Sequence, residues 1–207
     1  MATNAIIVDT SSINRLTIEL RGFEGQVEEA TYHALNRAVD YTLTQVGRIV
    51  TKEYAIKQKD VKESFKTGIR KPTRTNLTAS ITSTGHVLSI AHFPHTPTTP
   101  IRGGASRSVK VQIKRSGGKK VVNTSPKPFI MSTGARDPDG VQFNVFRREG
   151  RGRMPVVVLK TLSIPQMITS SNTSDQIQAA AQAKIEERLQ HEIIRSMTAA
   201  NTRINRR

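Results

Sequence analysis

Two stretches near the ends of the chain carry apolar stripes of helical period, and they constrain everything between them. In residues 26–53, Val27, Ala30, Ala34, Leu35, Ala38, Val39, Leu43, Val46 and Val50 recur at three- and four-residue steps. That spacing holds them on one side of a helix. Glu24, Glu28 and Glu29 stand near its start, where the positive end of the helix dipole favours carboxylates. Towards the other end of the chain Ile177, Ala181, Ile185, Leu189, Ile193 and Met197 repeat every four residues. Thr173-Ser174-Asp175-Gln176 has capping-box spacing and is expected to open this second helix, with the last residues, NTRINRR, fraying.

The middle of the chain reads mostly as strand. KQKDVKESF (57–65) predicts a short basic helix, and Pro72 breaks it by pushing Lys71 out of the α region. In residues 76–93 Leu77, Ala79 and Ile81 alternate with polar residues, Thr84-Gly85 turns, and Leu88, Ile90 and His92 alternate again. That is a β-hairpin pattern. Residues 93–108 are a loop by composition. VKVQIKRSGGKKVVN (109–123) predicts a second hairpin, with Val109, Val111 and Ile113 opposite Lys110, Gln112 and Lys114. Its low apolar content suggests that it projects from the body. PFIM (128–131), VQFNVFRRE (141–149) and PVVVLKTLSI (155–164) read as further strands joined by DPDG and GRGR turns.

The fold class that follows is α+β: an antiparallel β-sheet packed by a long N-terminal helix and a C-terminal helix, with a protruding basic loop or hairpin. A length of 207 residues fits a single domain over 1–207. Within it, 1–23 reads as an N-terminal arm, 94–127 as the extended basic loop or hairpin, and 172–207 as the C-terminal helix and tail.

Hydrophobic residues make up only 36% of the chain and aromatics 4%, with no tryptophan, so the core is modest and some segments are expected to order against partners. Cysteine is absent, which excludes disulfides, thiolate metal sites and a cysteine nucleophile. There is no apolar run of roughly 18 residues to cross a membrane. The N-terminus lacks the pattern of a signal peptide, so the chain is expected to be soluble and made in the cytosol.

Charge is distributed unevenly. The net charge is +16, and three windows hold it: 54–74 with 7 basic and 2 acidic residues, 101–127 with 8 and none, and 147–160 with 5 and 1. The rest of the chain is close to neutral. A surface that localised points to a polyanion or an acidic partner.

No catalytic constellation emerges. GRGR (150–153) lacks the GxxxxGK[ST] pattern and no helix follows it, so its glycines are read as a hairpin turn. His86, His92 and His95 are clustered, yet no acid lies between Glu63 and Asp137 in sequence to complete a metal site. Asp137 and Asp139 belong to turn chemistry, without the remainder of a calcium loop. Neither a GxSxG elbow nor the clustered carboxylates of a metal-dependent nuclease is visible. The expectation is no enzyme, no cofactor, no metal and no small-molecule substrate. Nonspecific contact with DNA phosphates is harder to set aside, although the basic windows are nearly free of the aromatics that stack on single strands.

ATYHALNRA (30–38), IKQKDVKESF (56–65), RTNLTASI (74–81) and FNVFRREGRGRMPVVVLKTLSIPQM (143–167) occur in an order that resembles the minor tail protein Z family of tailed bacteriophages and prophages. The resemblance spans roughly residues 26–200. It implies a structural virion protein, assembled in the host cytoplasm, that completes the head-proximal end of the tail and joins it to the head and neck. It implies a homo-oligomeric ring, such as a hexamer, around the DNA channel. Its neighbours would be tail terminator, tail tube and neck or connector proteins, with phage DNA backbone in the channel. The stretch 94–127 is longer than the resemblance leads one to expect and is a candidate interaction arm. The residues expected to contact DNA phosphate or acidic neighbours are Lys110, Lys114, Arg115, Lys119, Lys120, Arg147, Arg148, Arg151 and Arg153. The alternative is a free protein that binds DNA nonspecifically through the same surface.

Overall fold

The computed structural model describes residues 4–7, 24–101, 108–137 and 140–204. Helix α1 (Glu24–Glu53) and helix α4 (Ser171–Ile204) form the most extensive pairing between elements. They run antiparallel: Ala30 and Ala34 meet Leu189 and Ile193, while Leu35 and Ala38 meet Ile185. The residues foreseen on both stripes are the buried ones, Leu43 and Met197 being half-buried. The alanines at 30, 34 and 38 lie on one face and let the larger side chains of α4 come close. Glu192 is 1% exposed inside this pairing, with Arg37 at 3.2 Å and Arg195 at 3.4 Å offsetting its charge.

The C-terminal half of α1 leads into the main core. Val39, Val46, Val50 and Tyr54 pack with Val61 and Phe65 from the α2 region (α2, Gln58–Glu63) and with residues from all three sheets. The strands expected to form one sheet are divided among three, each antiparallel and three-stranded. The first has the order β1 (Asn4–Ile7), β3 (Ser80–Ser83), β2 (Ile69–Arg70); the second runs β4 (His95–Thr96), β5 (Lys110–Val111), β6 (Lys120–Val121); the third runs β7 (Phe129–Asp137), β8 (Gly140–Arg148), β9 (Val156–Val158). Pro72, Pro94, Pro97, Pro126 and Pro128 lack the backbone donor that a longer ladder would need, and most strands are correspondingly short.

Three expectations are corrected. Residues 76–93 are not a hairpin. β3 pairs with β1 and β2, and the stretch after it turns away to bond the segment following β9, through Leu88 N to Leu162 O and Thr161 N to Leu88 O. Residues 90–92 form a 3-10 turn there. Second, the strand expected over 155–164 stops at Val158, and Ile164–Ile168 is helix α3. Ser163 caps it: its hydroxyl accepts from Gln166 N, and the Gln166 side chain accepts from Ser163 N. Third, α4 begins at Ser171, ahead of the expected capping box. Thr173 is buried and its hydroxyl accepts a hydrogen bond from Ser170 Oγ.

Of the expected N-terminal arm, residues 4–7 form β1; residues 1–3 and 8–23 lie outside the described residues, as do 102–107, the DPDG turn residues 138–139 and the terminal 205–207.

Candidate interaction surface

The β5–β6 hairpin does not project as expected. Val109 and Val111 are buried, and Ile113 and Val122 pack on the main core. Its far end is fastened to the end of α1: Ala55 N donates to Ile113 O at 2.8 Å, and Arg115 Nε donates to Thr51 O at 2.6 Å. Gly118 takes a φ of +61°, which a side chain would disfavour, and so completes the turn back into β6. The alternation read from the sequence is real, but its apolar half faces the protein and its basic half faces outward.

The expected contact residues are thereby sorted. Lys114 lies 3.2 Å from Glu53 and above the Tyr54 ring; Lys119 Nζ donates to Thr96 Oγ1. With Arg115, these two spend donors on the hairpin's own attachment. Lys110 and Lys120 are exposed on β5 and β6 and make no side-chain hydrogen bond or ion pair among the described residues.

The second group sits on the β8–β9 hairpin, whose register pairs Phe146 with Val158, Arg147 with Val157 and Arg148 with Val156. GRGR is the tip of that hairpin, as its glycines suggested. Gly152 is close-packed there, since a Cβ would stand 3.2 Å from Met154 O. Arg148 braces the tip, donating from Nη1 to Gly152 O at 3.3 Å with its guanidinium carbon 5.6 Å from the centre of the Phe129 ring. Arg147 is half-buried. Arg151 and Arg153 are exposed and unpaired among the described residues, at the end of the β8–β9 strand pair. No hydrogen bond or ion pair among the described residues joins this tip to the β5–β6 lysines.

One cation escaped the sequence reading. Lys160, just beyond β9, shares a groove with Lys114 and Lys120. It belongs to the basic window 147–160, which was its only trace in the sequence. Two of the histidines have partners of their own: His95 Nδ1 lies 2.8 Å from Phe93 O, while His92 finds an acid distant in sequence, Asp60, at 3.4 Å. Among the described residues no group of three histidines and acids could hold a metal ion.

A model of the prophage minor tail protein Z family matches residues 17–203, most of the chain. The chain belongs to that family. Membership makes it a structural component of a phage virion that interacts with other phage structural proteins. Neither the curated proteins nor the solved structures compared with this minor tail protein yield a match. No helix among the described residues is long and apolar enough to cross a membrane.

Proposed function

We propose that this protein completes the head-proximal end of the tail and joins it to the head and neck, as a ring of identical copies around the DNA channel. It acts as a part and not as a catalyst. The observation that carries the reading is the family match over 17–203. The joining role draws support from Arg151 and Arg153, exposed and unpaired on a tip that Arg148 braces. A guanidinium fork suits carboxylates of neighbouring tail and neck proteins as well as phosphates of DNA in the channel. A ring multiplies such a patch by the number of subunits, so two free arginines per chain create a strong collective field.

The test is complementation of a phage lacking this protein with the Arg151→Ala, Arg153→Ala double variant. Arg148 is left in place because its loss would also loosen the tip. Infectious titre is expected to fall, with tails accumulating free of heads in electron micrographs. Normal titre and normal joining would remove the arginine tip from the mechanism. Light scattering on the purified protein bears on the alternative: a monomer that binds DNA and ignores purified tails would favour free nonspecific DNA binding.

A further inference from the structure

The open groove between the β5–β6 hairpin and the segment after β9 has a volume of about 550 Å³. Its floor is aliphatic, with Ile90 buried and Ile113 and Val122 half-buried against the core. Val121 stands at its edge, 51% exposed. Lys120 and Lys160 are exposed around it, and neither has a carboxylate within ion-pair distance among the described residues. β6 is also an outer strand of its sheet, the position from which an additional chain can pair.

We propose that this groove binds an extended segment of another tail protein, one in which carboxylates flank an aliphatic side chain. Successive residues of an extended chain point to opposite sides at about 3.3 Å intervals. An aliphatic side chain can therefore enter the floor while the chain on either side brings acids to Lys120 and Lys160. The volume falls within the roughly 300–1,000 Å³ typical of ligand-sized clefts. Duplex DNA fits the cations but not the floor, because its stiff charged backbone offers no apolar group to cover Val121 and Ile113. A small anion would use the lysines and leave the same apolar surface in water. Only a partner with both chemistries satisfies both halves of the groove.

This inference rests on the reading of the chain as a part that docks to neighbours, and its test is separate from that of the arginine tip. The full-length protein would be titrated with a peptide of about ten alternating glutamates and valines, followed by NMR chemical shifts and calorimetry. An all-glutamate peptide and a short DNA duplex serve as comparisons. The alternating peptide is expected to shift Val121, Val122 and Lys160 and to bind about tenfold more tightly than the all-glutamate peptide. Val121→Asp, a change at an exposed site that leaves the core untouched, is expected to weaken it by a similar factor with circular dichroism unchanged. Absence of binding by the alternating peptide overturns the proposal. So does equal binding of the all-glutamate peptide or of DNA at the same residues, which would make the groove a plain polyanion site. A groove that fails while Arg151→Ala, Arg153→Ala still blocks joining would leave the functional reading standing.

Discussion

At residue 68 the chain admits only glycine. A Cβ there would lie 1.8 Å from the Thr82 carbonyl oxygen, where β2 approaches β3 and Thr82 N bonds Gly68 O. Backbone cannot yield as a flexible side chain can, so Gly68→Ala should lower the unfolding free energy by about 1–3 kcal/mol. Urea denaturation measures this, and an unchanged midpoint would show that the two strands separate at no cost. Among the cations, partners decide role: Arg148 is a brace and Arg151 a free donor, though three residues apart in one basic run. Lys184 is a brace of another kind, with its ammonium 2.7 Å from both Glu187 oxygens and 5.0 Å from the centre of the Tyr41 ring. Its hydrogen bond and charge hold the Glu187 carboxyl below the ordinary carboxylate range. A lowered folded-state value means that the pair's contribution is present above the unfolded carboxylate pKa and is lost as pH falls through the folded one. At so exposed a site the effect on stability is small, so the check is direct: Lys184→Met should raise the Glu187 titration in an NMR pH series. An unmoved titration would rule out Lys184 as the cause.

At the scale of elements, the helices were legible because their period is local. Every residue assigned to the α1 stripe is buried or half-buried, and α4 buries the same four-residue repeat. The start of α3 was equally legible and went unread. Ser163-Ile164-Pro165-Gln166 has the Ser-x-x-Gln spacing with proline in the first turn, but the β-branched run before it extended the strand reading through it. Ser163→Ala removes that cap and should cost about 1 kcal/mol in thermal or chemical unfolding. No loss at all would mean that Pro165 and the buried Ile164 and Met167 set the helix start unaided. The false hairpin over 76–93 has a different cause. Leu88 bonds Leu162, and a pairing across so much intervening chain leaves no local pattern. The same holds for the groove. Lys114 and Lys120 could be read from the basic hairpin, whereas Lys160 and the exposed Val121 acquire meaning only when the segment after β9 and the β5–β6 hairpin line one groove.

At the scale of the molecule, a body of three small sheets holds the main core, and α1 and α4 extend from it as an antiparallel pair that buries two smaller clusters. Ile194, 66% exposed on α4, and Met154, 71% exposed beside the arginine tip, lie outside those cores and are available to neighbours. This division would suit the proposed ring, with a packed helical pair to set spacing and short, tied-down hairpins that carry charge outward. Gold-labelled antibody against this protein on intact virions tests its proposed position at the head-proximal end of the tail. The label is expected at the junction of head and tail, and on the matching end of tails isolated before joining. Gold at the distal tip, along the tail shaft or on the head alone would contradict it.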